Sequence, residues 1–426
     1  MKNLRAIVLL FVANTVSGVA QGISMLAIPW YFARDGDMAR FGLIYILTNL
    51  VSLFWVPYAG VLIDKFSRKR VFIVISLVGG LAVGAIAWLG HWQGDLPWWL
   101  VALVFGLTFF NYNIHYPNLY AFVQEITEPR SYGKITSALE IQGQITTMAA
   151  GAAGAVLLEG TQNGMLNVFG FLVKVPWDIP AWRIHEIFTL DAATYFVGFL
   201  IILAIRYQPL KQRHVEHGRL LVRLNIGWQY LRNHKLIFIF GVASYSIFVT
   251  ILIGVFYLDP LYVSNHLHET GDVFAASEMY YAIGAVFAGV AILRMFTRWN
   301  GVIGIILLTV ITAFIFGWLA VAHSVIVYYI VVLLMGLTNA GTRILRVNYL
   351  FNTVPNQVYG RANSIFNMTN ILLRIAFLAL FSLPFFHVGN NVIYAFVILG
   401  IFLLVAAGVL IAYYRNFVAI LATQRT

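Results

Sequence analysis

Twelve separate apolar stretches, each long enough to cross a bilayer, run through this chain of 426 residues. A spanning helix needs about 20 mostly apolar residues. The stretches lie at 5–32, 40–63, 70–91, 97–124, 134–158, 186–206, 236–263, 272–294, 299–321, 324–350, 361–387 and 391–414. Lipid offers the backbone no hydrogen-bond partners, so each stretch is expected to be a helix that pairs its own amides. The fold class expected is therefore an all-α membrane protein with twelve transmembrane helices. Composition agrees: 61% of residues are hydrophobic and 10% charged, against about 25% charged in a soluble domain. The first run begins at Arg5 and continues to Phe32 with no small-residue cleavage site, so it reads as a retained helix and not a signal peptide.

Charge placement orients the chain. An even number of spans puts both termini on one side. Twenty of the 27 lysines and arginines fall on that side, in the termini and the loops facing it. Four (Arg34, Arg40, Lys174 and Arg183) fall on the other. The positive-inside rule then makes both termini cytoplasmic. The net charge of +11 is spent between apolar segments, which favours anionic lipid headgroups as partners and not nucleic acid. There is no cysteine, which excludes disulfides and thiolate metal sites. No cofactor is implied.

Two connections stand out. Between spans six and seven, Leu220, Leu224, Trp228 and Leu231 recur at helical spacing beside Arg219, Arg223 and Arg232. That pattern predicts a helix lying on the inner membrane surface. On the opposite side, the long loop from Glu159 to His185 carries Pro176, Trp177, Pro180 and Trp182 and is expected to form a small cap.

The halves echo each other. Gly106-Leu107-Thr108 recurs as Gly336-Leu337-Thr338, and Tyr132-Gly133-Lys134 with Ser137 recurs as Tyr359-Gly360-Arg361 with Ser364. Both matches sit at the same place in their half. A duplicated six-helix unit follows, with bundles expected at 1–206 and 236–426 and a linker at 207–235. Such repeats place a site near the midplane.

One short loop adds a family. Gly60-Val61-Leu62-Ile63-Asp64-Lys65-Phe66-Ser67-Arg68-Lys69-Arg70 matches the G-x-L-x-D-[RK]-x-x-R-[RK] motif, and the chain resembles the major facilitator superfamily over nearly its whole length. The fold this implies is two six-helix bundles related by a pseudo-two-fold. Within the superfamily it is most similar to the drug:proton antiporter group that includes macrolide efflux proteins and enterobactin exporters. The segments that carry this are His115-Tyr116-Pro117-Asn118-Leu119, Leu190-Asp191-Ala192-Ala193-Thr194-Tyr195 and Gly227-Trp228-Gln229-Tyr230-Leu231-Arg232. The resemblance implies that Gly60, Asp64, Lys65, Arg68 and Lys69 form a gating motif that latches the halves together. Gly60 is read as permitting close helix approach. There are departures. Ser67 replaces a glycine, Leu293 stands where the second half would carry the acid before Arg294, and the fifth helix has Gly143, Gly151 and Gly154 without the proline common in exporters.

Ionisable groups within the spans mark mechanism, because a charge near the bilayer centre is costly without a partner or cavity. Glu278, Glu140 and His115 are the proton-coupling candidates. Asn14 and Gln21 of the first span, with Ser17 and Ser24, face one way. Asn111 and His115 of the fourth are four apart and share a face. With Asn113 they suggest a polar, aromatic-rich wall for an amphipathic ligand. Arg343, Arg346 and Arg374 suggest a cationic cavity. His266 and His268 alternate in a loop, a weak metal signal, and no metal site is expected.

The function these features support is a secondary active transporter using alternating access, exporting a small amphipathic molecule, drug-like or a secondary metabolite, in exchange for protons. The alternative is a siderophore or metal-chelate transporter, in either direction, using the cationic cavity. The partners expected are a small-molecule substrate, protons and membrane lipids, with the chain a monomer in a bacterial inner membrane. No nucleophile–base spacing suggests an enzyme.

Overall fold

A computed structural model describes residues 3–128, 131–161, 165–168, 171–174, 178–209, 220–296 and 301–423. The helices are α1 (Leu4–Arg34), α2 (Met38–Lys65), α3 (Arg68–Gln93), α4 (Trp98–Ile126), α5 (Tyr132–Glu159), α6 (Ile184–Ala204), α7 (Leu220–Asn233), α8 (Lys235–Ile253), α9 (Asp259–Asn265), α10 (Gly271–Phe296), α11 (Gly301–Leu319), α12 (Val325–Thr353), α13 (Asn356–Phe381), α14 (Val392–Ala412) and α15 (Tyr414–Thr423). Eleven helical segments among the described residues are long and apolar enough to cross a membrane. The remaining expected span, α4, is 29 residues long. Its middle carries Asn111, Asn113, His115 and Asn118, which lowers its apolar character without shortening it.

The spans are apolar nearly all round, as expected of helices with lipid on one side and protein on the other. On α3, Val74, Val78 and Leu81 lie at helical spacing and stay more than half exposed. Phe72 and Val83 of the same helix are buried. A soluble protein would not leave such rows in water.

Three boundaries differ from the sequence reading. The seventh span is a continuous run in the sequence but is built as α8, a π-helical turn at Gly254–Leu258, and α9. Pro260 supplies the reason: it lacks an amide hydrogen, and the ladder is disturbed in the turn before it. The eleventh span ends at Phe381, with a separate 3-10 turn at Pro384–His387. The C-terminal tail forms a helix, α15, anchored where Tyr349 Oη donates to the Phe417 carbonyl at 3.2 Å. The amphipathic segment does form a helix, α7. In the expected cap, strands β1 (Met165–Val168) and β2 (Phe171–Lys174) pair antiparallel. The side chains of Asp64, Leu220, Arg223, Leu293 and Arg294, and residues Pro176, Trp177 and Arg219, lie outside the described set.

The chain falls into two compact units. The first holds Met1–Gly36, Val51–His217 and Thr270–Met279; the second holds Asp37–Leu50, Gly218–Glu269 and Tyr280–Thr426. Thus α2 and α10 are each divided, their N-terminal portions belonging to the unit of the other sequence half. In the first unit, α1 packs on α5 and α6, and α3 on α6 and α4. Ala6, Leu10, Phe72, Phe122 and Ile202 form a buried cluster there. In the second, α11 packs on α12 and α14, and α13 on α7 and α8, around Phe240, Ile305, Leu308, Leu345 and Tyr349. Within this unit α10 crosses α12 at two glycines. A Cβ at Gly284 would land on the Leu333 carbonyl oxygen, and one at Gly336 on that of Tyr281.

Candidate functional site

The polar residues of α1 and α4 converge in the first unit. His115 Nε2 donates to Asn14 Oδ1 at 2.7 Å. One turn along α4, Asn111 Nδ2 donates to Tyr195 Oη of α6 at 2.6 Å. Gln21 Nε2 of α1 donates to the same phenol oxygen. Tyr195 is the hub that joins three helices, and it is buried. Aromatic rings line the wall: Phe72 lies 5.1 Å from the His115 ring and Tyr116 5.4 Å. Asn113 does not join, since its side chain turns back to the Phe109 carbonyl at 3.0 Å. The heptad spacing of Asn14 and Gln21 and the four-residue spacing of Asn111 and His115 put each pair on one helix face.

Two further acids belong to this unit. Glu140 of α5 accepts from Tyr120 Oη of α4 at 2.6 Å. Glu278, in the N-terminal portion of α10, is half-buried and lies over Gly151 of α5, where a Cβ would come within 3.1 Å of the Glu278 Cβ. Gly151 is the fifth-helix glycine that permits close approach; at Gly143 a Cβ would meet nothing within 4 Å.

Two acids escaped the sequence reading. Asp191 of α6 is completely buried and Asp259 of α9 nearly so. Both lie in apolar runs, the very setting that singles out an intramembrane acid. Asp191 was legible only as part of a family segment. Tyr195 carried no signal of its own, because a lone tyrosine in a span is ordinary.

The three arginines lie in the second unit and do not form one cluster. Arg346 Nη1 donates to the Ser244 carbonyl at 2.9 Å, and its guanidinium sits 3.6 Å from the Tyr245 ring centroid. Arg374 is buried and faces the Tyr45 hydroxyl. Arg343 is exposed. His266 is buried and donates through Nε2 to the Ala322 carbonyl at 2.8 Å, while His268 is exposed. No group of three or more histidines and acids that could hold a metal occurs among the described residues.

The charged loop is tied within the first unit. Ser67 caps α3, accepting from the Arg70 amide at 3.4 Å. Lys69 Nζ donates to the Leu203 and Ile205 carbonyls at 2.9 and 2.8 Å, closing the C-terminal end of α6. The Arg68 carbonyl accepts from Asn118 Nδ2 at 2.9 Å. Lys65 is exposed. At Gly60 an added Cβ would meet nothing within 4 Å among the described residues.

A cavity of about 490 Å³ opens in the first unit among Trp30, Arg34, Asp95, Trp182 and Arg183. It shares no residue with the hydrogen-bonded wall.

The family model described as Major Facilitator Superfamily matches residues 10–378. The chain belongs to the major facilitator superfamily. It is an integral, multi-pass membrane protein with the fold of that superfamily, whose members are transporters and in general not enzymes. It is 20% identical over 287 residues to macrolide efflux protein A of Streptococcus pyogenes, covering 66% of this chain and 64% of that protein's own length. It is 32% identical over 79 residues to the multidrug efflux pump Tap of Mycobacterium tuberculosis, 18% of this chain and 19% of that one. Among solved structures, the nucleoside transporter NupG superposes with a TM-score of 0.70 at 12% identity, over 96% of this chain and 99% of that one.

Proposed function

We propose that this superfamily member is a secondary active transporter, working by alternating access, that exports a small amphipathic molecule in exchange for protons. The observation that carries the reading is the wall built by Asn14, Gln21, Asn111, His115 and Tyr195. Its amide, imidazole and phenol groups present donors and acceptors beside aromatic rings. That is the surface on which an amphipathic molecule is oriented by a few polar contacts and held by apolar ones. The efflux proteins among its relatives support the same direction of transport.

Glu278 and Glu140 are the carboxyls we assign to coupling. A half-buried acid beside a small-residue helix face, as at Glu278, can be reached by water in one state and covered in another. Both termini are placed in the cytoplasm of a bacterium, on the lopsided distribution of basic residues. The functional halves are taken as 1–206 and 236–426, joined by 207–235, and the transporter as acting as a monomer. The loop at Gly60, Asp64, Lys65, Arg68 and Lys69 is assigned to gating.

Purified protein in proteoliposomes holding a pH dye, challenged with a panel of macrolides and other amphipathic drugs, tests the reading. The expected result is drug-dependent proton flux that is lost in Glu278→Gln. Labelled drug crossing without proton movement would overturn coupling. Neither drug nor proton movement with any compound would overturn export.

A further inference from the structure

Among the described residues of the first unit, Asp191 carries a fully buried carboxyl that the wall does not explain. It sits two turns into α6, about 10 Å along the helix from Ile184 at 1.5 Å per residue. It is completely buried, and neither oxygen has a hydrogen-bond partner. Other acids of the same unit are provided for. Glu125 accepts from Tyr207 Oη at 3.0 Å, Glu140 from Tyr120, and Glu159 from Trp30 Nε1 and the Gly271 amide at 3.0 and 2.9 Å.

Among the described residues, its surroundings hold no compensating charge. From α1, Ser24 approaches the carboxyl but stops short of hydrogen-bond geometry, and its own hydroxyl is buried without a partner. From α4, Tyr112 lies within electrostatic reach, and on α6 itself so does Tyr195, one turn on. The formal charges of α1 and α3 are at their ends: Arg5 and Arg34 on the one, Arg68, Lys69 and Arg70 on the other. The imidazoles of His91 and His185 face each other, with ring centroids 4.7 Å apart, more than a turn away from Asp191. His115 is engaged with Asn14. An ionised carboxylate in such a place would be a buried charge without a partner, which proteins avoid. A protonated one is an uncharged group of ordinary cost.

We propose that Asp191 is a proton-binding site of this transporter, holding its proton in the dry arrangement described here and releasing it when water reaches the wall. The carboxylate takes the proton from hydronium on the side to which the protein is open, leaving water. The carboxylic acid returns it to water when the opposite side opens. Tyr195 links this event to the wall. It stands four residues on, on the same helix face, and its phenol oxygen is the shared acceptor of Gln21 and Asn111. A charge appearing at Asp191 changes the field at that hub, where ligand would bind. The proposal rests on the transport reading for its purpose but not for its test.

The test is an infrared titration of the full chain in lipid. The expected result is a buried carboxylic-acid carbonyl band that titrates with pH, is absent in Asp191→Asn, and persists in Glu278→Gln. A band identical in wild type and Asp191→Asn would overturn the proposal. So would displacement of the band by sodium at fixed pH, which would make the site one for a metal cation. Should Asp191→Asn fail to fold, Ser24→Ala leaves the carboxyl in place and strips its polar neighbour. The titration must then shift, and an unchanged curve overturns the proposal. In proteoliposomes Asp191→Asn is expected to lose pH-driven drug movement while retaining drug–drug exchange. Wild-type vesicles that move no drug would sink the transport reading, and the infrared result would still decide Asp191.

Discussion

The two compact units solve the problem of polar groups in lipid in opposite ways. The first gathers uncharged groups from α1, α4 and α6 into a network around Tyr195 and, among the described residues, leaves the fully buried carboxyl of Asp191 without a hydrogen-bond partner. The second sinks two arginines, backing Arg346 with an aromatic face and a carbonyl and setting Arg374 against a tyrosine hydroxyl. Amides and phenols can trade partners at low cost, so a ligand can enter such a network. A guanidinium clamped between a ring and a backbone oxygen is a fixture, because moving it would expose a permanent charge to lipid. One fold, repeated, has put adaptable chemistry in one unit and rigid anchoring in the other.

The largest effects are expected at helix crossings. Gly284→Ala drives a Cβ into the Leu333 carbonyl, and backbone cannot yield. The expected cost is about 3 kcal/mol or more, read as loss of monodisperse protein after extraction. In the first unit, Gly18→Ala meets only the Thr146 methyl at 2.8 Å, at an expected cost of about 1 kcal/mol. Equal yields would show the second unit to be no stiffer than the first.

Next in size is Tyr195→Phe. It removes the shared acceptor of Gln21 and Asn111 and leaves buried amide donors unsatisfied, at about 1–3 kcal/mol each. Thermal unfolding in detergent should drop, and drug export with it. An unchanged melting point would mean that the wall is already wet.

Arg346→Met sharpens the other side. Losing the cation–π contact and the Ser244 hydrogen bond should cost about 2 kcal/mol, with transport retained in the protein that folds. A double-mutant cycle with Tyr245→Leu should reveal coupling. Additive effects would free Arg346 to be a ligand and not an anchor.

The smallest effect concerns His387, outside the spans. Burial holds its imidazole below the ordinary histidine range, and the Phe381 carbonyl opposes this in part. The folded protein therefore resists a proton that the unfolded chain accepts near pH ~6.5. Stability present above that pH is lost progressively as pH falls through it. The slope should flatten in His387→Gln. An unaltered slope would place the titrating group elsewhere.

Much of the architecture was legible in advance. Apolar runs of bilayer length announce their helices because lipid permits little else, and the four-residue spacing of Asn111 and His115 already put them on one face. The helix α7 was legible from its leucines and tryptophan. The 3-10 turn after Phe381 and the helix α15 were not, since they follow from local packing of short segments. Asp191 was hidden in plain view. A carboxyl in an apolar run is conspicuous, but its importance depends on whether a partner faces it, and partners come from other helices.

The class of protein, the number of long helices and the family can be read along the chain, because hydrophobic length and a charged loop motif are one-dimensional signals. Which polar groups meet is a matter of packing in three dimensions. Helix rotation about its own axis is set by packing against neighbours, and a rotation of one residue, about 100°, would carry Tyr195 away from Gln21 and Asn111. The same packing divided α2 and α10 between units, placed Arg346 over a ring, and left Asp191 alone.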